Sequence, residues 1–205
     1  LARLDDEREN MLAAHRWCGV AKDGAATGLQ LAFLLKTYWY QRGLLTLGRQ
    51  LGLEALARTP ASDRGMLRCR GLCDVGQLCF GMGQYGEARG YLEESLAIAR
   101  ELNDERRIAA VLQPLGLTLV ALDDLDRARS VLGEGVQLAR SLQNPRQLAA
   151  ALSTQGQLLR SMQDLAGADA LYAEVIDIAQ QLGDEESRAI GLLSRAMIAT
   201  ARQDH

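Results

Sequence analysis

Apolar side chains return every three or four positions through most of this 205-residue chain, the spacing that lines one face of an α-helix. After Glu105 the series is Ile108, Val111, Leu112, Leu115 and Leu119. Asp123 and Asp124 interrupt it, and Leu125, Ala128, Leu132, Val136 and Ala139 begin a second series. Two helices joined by a short polar turn are predicted. The same spacing elsewhere predicts ten helices: a lead helix near 3–19, four hairpins near 27–58, 62–103, 105–142 and 145–182, and an unpaired helix near 185–203. Asp104, Asn144 and Asp184 stand where an N-cap accepts free amide hydrogens. Pro145 falls on a first helical position, where its missing N–H costs nothing, and Glu185 and Glu186 favour the positive end of the last helix. Pro114 lies well inside a predicted helix, where it should delete the bond to Ala110 and bend the chain.

The hairpins repeat with a fixed step of 40 residues. Glu101-Leu102-Asn103-Asp104, Ser141-Leu142-Gln143-Asn144 and Gln181-Leu182-Gly183-Asp184 fall in register. So do Gly76, Gly116 and Gly156, with Ala196 next, and Gly48, Ala88, Ala128 and Ala168. Tyr85, Leu125 and Leu165 match, as do Leu56, Leu96, Val136 and Ile176. A glycine inside a helix costs about 1 kcal/mol. Its recurrence beside a small residue on the next helix implies a close crossing whose packing offsets that cost. Self-similarity at one period is the signature of a repeat array in which neighbouring units bury each other's faces. The expected division is a lead helix and linker over 1–26 and an array over 27–205, with units 27–60, 62–103, 104–143 and 144–183 and a terminal helix over 184–205.

The string Leu72-x3-Gly76-x2-Cys79-x5-Tyr85-x2-Ala88-x3-Leu92, with its copies 40 and 80 residues on, resembles the tetratricopeptide repeat. The resemblance covers roughly residues 27–205 and is best over 62–182. It implies an all-α, right-handed superhelical solenoid of antiparallel helix hairpins. The family's usual unit is about 34 residues, and the additional residues here lengthen the second helix, as from Leu92 to Glu101. That longer form is similar to the repeat arms of bacterial signal-transducing ATPases and transcriptional activators, including the maltotriose-responsive type. The opening from Leu4 to Trp17 resembles the helix that joins their ATPase and winged-helix parts to the repeats, and Tyr38-Trp39-Tyr40-x2-Gly43 and the Arg58–Arg64 connection fit the same group.

Composition narrows the function. The chain is 48% hydrophobic and only 4% aromatic, so leucine and alanine carry the packing. A net charge of −3 supplies no basic field, and direct nucleic-acid contact is not expected. The longest uncharged apolar stretch, 24–35, falls short of the ~20 residues a membrane span needs. The acidic start, without an initiator methionine, is neither a signal nor a transit peptide and suggests a chain cut from something longer. Cys18, Cys69, Cys73 and Cys79 are expected to be reduced thiols of a cytoplasmic protein. Cys69 and Cys73, four apart, would share a helix face as metal ligands can, but no Cys-x-x-Cys and no nearby histidine completes the set, and no metal or cofactor is expected.

Catalysis has little to work with. The two histidines are His15, beside the apolar line Met11, Leu12 and Cys18, and the terminal His205. Asp123, Asp124, Asp126, Glu93 and Glu94 read as turn and outer-face solvation, and Gly81-x-Gly83-x2-Gly86 has no preceding strand to make a dinucleotide loop. The chain is not expected to be an enzyme. Binding is the better prospect. The resemblance implies a groove lined by the first helix of each unit: Arg70, Cys73, Gln77 and Phe80, then Ala110, Gln113, Leu117 and Val120, then Ala150, Ser153, Gln157 and Arg160. The register turns Cys69 and Cys79 inward and Cys73 to the groove. This wall of amides, two arginines and an apolar strip suits a peptide, a partner protein or a small polar ligand. On the last helix the equivalent positions are Ile190, Leu193, Met197 and Thr200. An apolar end of an array implies a partner, a following helix or a second copy forming a homodimer. The expected role is a protein-interaction or ligand-sensing arm of a larger bacterial transcriptional regulator or signalling ATPase. The alternative is a free-standing adaptor for a peptide or partner protein.

Overall fold

The computed structural model describes residues 2–203, so His205 lies outside the described residues. Among the described residues there are eleven helices and no strand: α1 Ala2–Asp6, α2 Arg8–Cys18, α3 Gly24–Gln41, α4 Leu45–Ala57, α5 Met66–Gly81, α6 Tyr85–Glu101, α7 Glu105–Ala121, α8 Leu125–Ser141, α9 Pro145–Ser161, α10 Leu165–Leu182 and α11 Glu185–Gln203. This is the all-α hairpin-repeat fold that the periodicity predicts. The lead helix differs, because it is two helices. Glu7 leaves helical geometry at φ −90° and ψ 5°. Ahead of it, Asp5 is tied to α3, accepting from Tyr38 Oη at 2.9 Å and Arg42 Nε at 3.0 Å.

The helices form two compact units that divide after Asp104. In the first, α3 pairs with α4, α5 pairs with α6, and α2 packs on α3. In the second, α7 pairs with α8, α9 with α10, and α11 covers α10.

The recurring small residues make close crossings, though the close partner is a large side chain. A Cβ on Gly76 of α5 would lie 2.7 Å from Leu92 Cγ on α6. On Gly116 of α7 it would meet Leu132 Cδ2 at 2.2 Å, and on Gly156 of α9 Tyr172 Cζ at 2.8 Å. Each partner lies sixteen residues downstream, four beyond the repeated alanine. In α3–α4 the arrangement is inverted: Trp39 is the large residue and a Cβ on Gly48 would sit 2.9 Å from it. Trp39 packs with Leu35, Tyr38 and Leu51.

Turn chemistry has the same 40-residue step. Gly43, Gly83, Asp123 and Gln163 close the four hairpins with φ of +67°, +75°, +59° and +62°. That left-handed conformation suits glycine and is strained for the other two residue types. Asn144 and Asp184 accept from the amides of Gln147 and Ser187 at 3.2 and 3.1 Å, as their N-cap positions require. α7 runs through Pro114, and the Thr118 hydroxyl donates to the Pro114 carbonyl at 2.7 Å.

His15 is buried between α2 and α4, with its Nε2 3.1 Å from Glu54 Oε2 and 3.2 Å from an Arg58 guanidinium nitrogen. Arg58 also donates to the His15 carbonyl at 3.1 Å. Burial, reinforced by the Arg58 charge, outweighs the Glu54 carboxylate and holds the His15 pKa below its ordinary value. A histidine depressed in the folded state stabilises it fully above its unfolded value of about 6.5, and that contribution is lost as pH falls through the folded pKa. The first unit is therefore expected to melt lower at pH 5.5 than at pH 7.5. His15→Gln should flatten the dependence; an unchanged slope in that variant, read by circular dichroism, would exclude His15 as its cause.

Candidate ligand-binding wall

In the first unit α3 and α5 lie side by side and present one surface. Arg70, Gln77 and Phe80 of α5 are half-buried along it. Cys73 is only 2% exposed, and the Gln77 side-chain amide donates to its sulfur at 3.3 Å, so the thiol forms the floor of the wall. Lys36 of α3 reaches across to Asp74 at 2.9 Å and Gln77 Oε1 at 3.0 Å, which fixes the two helices and occupies the lysine charge. Phe80 stacks at a tilt on Tyr85.

A shift of 40 residues carries Arg70, Cys73, Gln77 and Phe80 onto Gln30, Phe33, Thr37 and Tyr40. These α3 positions, missed as site residues, complete the surface. Phe33, Leu34 and Tyr40 are all exposed, Leu34 at 71%. Such contiguous apolar exposure beside polar groups is what a binding surface shows. A cleft of about 230 Å³ opens between the helices, lined by Leu29, Gln30, Phe33, Leu34, Leu67 and Arg70. The Arg70 guanidinium lies over the Phe33 ring, 5.5 Å from its centroid.

The second unit carries the other candidates. Ala110, Gln113, Leu117 and Val120 of α7 and Ala150, Ser153 and Arg160 of α9 are half-buried, and Gln157 is exposed. Gln113, Ala150 and Ser153 line a depression of about 160 Å³ with Ser187 and Ile190 of α11. Arg160 donates to the Met197 sulfur at 3.4 Å. This wall is more neutral than the first. Thr154 draws the Gln113 amide at 3.4 Å, so that amide is partly occupied.

On α11, Ile190, Leu192, Leu193 and Met197 are all exposed. Leu192 is 49% exposed, whereas its register mate Leu152 is fully buried against α10. Ala196, at the register position of Gly156, is exposed. The first turn of α11 holds Glu185 and Glu186 and its last turn Arg202.

The four cysteines are buried, unbridged thiols, and Cys69 donates to the Ser95 carbonyl at 3.3 Å. Among the described residues no three His, Cys, Asp or Glu side chains converge as a metal site, and no helix is long and apolar enough to cross a membrane.

Residues 67–141 match the family model of the tetratricopeptide repeat, and the described residues have the fold of such repeat proteins. No curated protein matches the sequence. Among solved structures, BtubC (BKLC) from P. vanneervenii is 15% identical with a TM-score of 0.68, over 98% of this chain and 91% of that one. A Rap protein solved with competence and sporulation factor is 16% identical with a TM-score of 0.76, over 86% of this chain and 50% of that one. A signal transduction ATPase with numerous domains and a tetratricopeptide repeat sensor, from Pyrococcus horikoshii, is 16% identical with a TM-score of 0.71, over 92% of this chain and 28% of that one. The chain thus spans half of the Rap chain and a smaller part of the ATPase. These likenesses establish the fold, and repeats of this fold are generally interaction scaffolds.

Proposed function

We propose that the chain is a cytoplasmic interaction and sensing arm of a larger bacterial transcriptional regulator or signalling ATPase, and that a peptide or partner protein occupies its walls of first helices. The observation that carries this reading is the α3–α5 surface, where Phe33, Leu34 and Tyr40 stand exposed beside the cleft under Arg70. An occupant that prefers one arrangement of the larger protein would shift its equilibrium toward that form. Two similar structures support the reading: the Rap protein solved with a bound factor and the ATPase whose repeats are called a sensor. Four buried unbridged thiols suit a reducing compartment. The role proposed is binding, without catalysis.

Immunoblotting source-cell lysate with antibody to this chain tests the reading. A band several times heavier than 22.3 kDa supports the arm of a larger regulator. A band near 22.3 kDa overturns it in favour of a free-standing adaptor. The adaptor reading has its own support, since the likeness to BtubC spans nearly all of both chains.

The α11 face fits a second copy of the chain. The first turn of α11 is acidic and its last turn carries Arg202, so an antiparallel pairing of two such helices would set Glu185 and Glu186 of one copy opposite Arg202 of the other and bring the apolar strips together around a two-fold axis. Sedimentation velocity at high micromolar concentration is expected to show twice the chain mass, and Leu193→Asp to return the monomer. A wild-type monomer throughout that range would exclude the pairing.

A further inference from the structure

Four of the chain's five methionines, Met11, Met66, Met82 and Met162, are half-buried. Met197 is the exception. It is 50% exposed and stands on the apolar strip of α11 with Ile190 and Leu193. From the last turn of α9, Arg160 Nη1 donates to its sulfur at 3.4 Å. A thioether is a weak acceptor. Two-electron oxidation turns it into a sulfoxide, a polar and chiral group whose oxygen accepts strongly. Met162 also receives an arginine, Arg129 Nη2 at 3.2 Å, but it caps the end of α9 and lies off the α11 strip.

The antiparallel pairing of α11 proposed above fixes what this methionine meets. The register that sets Glu185 opposite Arg202 also sets Ile190 opposite Met197. Two-fold symmetry makes that contact twice in the pair. Methionine packs there as an unbranched apolar chain that fills an irregular gap. Its sulfoxide would set an S=O dipole in each half of an apolar seam, where burial without a donor is costly. Arg160 is a donor within reach, and it approaches Met197 from α9. Holding the sulfoxide therefore turns the side chain toward α9 and away from the seam.

We infer that Met197 is an oxidant-sensitive modification site that controls self-association through α11: a hydroperoxide converts it to the sulfoxide, and the pair comes apart. This names the regulation of the α11 pairing face and rests on that reading. In the step, a sulfur lone pair attacks one peroxide oxygen. The S–O bond forms as the O–O bond breaks, and sulfur gives up two electrons. The departing hydroxide takes the proton of the transferred oxygen and leaves as water. Methionine sulfoxide reductase reverses the change. The free chain is the form oxidised, since pairing covers Met197.

The test treats the dilute wild-type chain with hydrogen peroxide, maps the added oxygen by peptide mass spectrometry, and measures pairing by sedimentation velocity after concentration. Met197 is expected to take up oxygen ahead of the other four methionines, and the dissociation constant of the pair to rise about a hundredfold. Treatment with the reductase should restore it. Met197→Gln, which carries a polar acceptor in place of the thioether, should weaken pairing without peroxide. Met197→Leu should keep its own constant through the treatment. Oxidation no faster at Met197 than at the other four, pairing unchanged once Met197 is oxidised, or a peroxide response retained in Met197→Leu overturns the inference and leaves the pairing reading standing. A wild type that is monomeric at every concentration before peroxide is added overturns both.

Discussion

Trp39→Ala is expected to destabilise the first unit by about 3–5 kcal/mol. Trp39 is 1% exposed and fills the space between α3 and α4, edge-on to Tyr38 with ring centroids 4.8 Å apart. Leu35, Leu51 and the half-buried Leu31, Leu44 and Leu47 close around it. Truncation removes the transfer free energy of the indole and leaves a cavity the surrounding leucines only partly refill. For a unit of this size such a loss lowers the melting midpoint by well over about 10 °C. Because Trp39 sets α3 on α4, loosening it should also weaken peptide binding at Phe33 on the same helix. Gly48→Leu, destabilising on its own because Trp39 occupies its space, should partly rescue the double variant. Additive losses in that double-mutant cycle would contradict the inverted packing described for the first hairpin.

The second large effect falls in the other unit. Gly116→Val should cost about 2–3 kcal/mol, since any Cβ there overlaps Leu132, itself fully buried. Valine is the better helix former by a few tenths of a kcal/mol, too little to offset the overlap. Gly133, on α8, supplies the control. A Cβ there meets nothing within 4 Å, so Gly133→Ala should stabilise by up to about 1 kcal/mol. Thermal melts of the two variants separate the packing account from propensity alone, which predicts that both substitutions stabilise.

These two positions show what was legible beforehand. A 40-residue step in the sequence located the hairpins and the mid-helix glycines, because each repeat meets the same packing problem with the same residue sizes. It found the close approach to Ala88, whose carbonyl oxygen would lie 3.3 Å from a Cβ at Gly76, and missed the tighter contact from Leu92. Gly76 and Ala88 recur together as small residues, yet the contact that demands a glycine comes from Leu92, a common residue whose reach across the crossing no spacing reveals. The first hairpin was harder still. Trp39 and Gly48 exchange the large and small roles, so the α3 equivalents of Arg70 and Phe80 did not stand out in the repeat series. The turn positions show the same limit, since Gly43 and Gly83 invite a left-handed conformation, while Asp123 and Gln163 adopt it under the demand of the turn.

The candidate wall was legible in part. Register placed Arg70, Gln77 and Phe80 along α5, where they stand half-buried. It could not show that Cys73 would sink beneath Gln77, which depends on how a longer side chain folds over a shorter one. Nor could it pair Lys36 with Asp74 and so distinguish an occupied cation from Arg70. Charge pairing across two helices belongs to the packed structure, and it decides which groups remain for a ligand.

Hydrogen–deuterium exchange of the wild-type chain, free and saturated with a peptide selected on it from a random phage-displayed library, tests the central claim most directly. Binding along the wall of first helices predicts added protection in α3 and α5, with α4 and α6 unchanged. Protection confined to α4 and α6, on the opposite side of the hairpins, would contradict it.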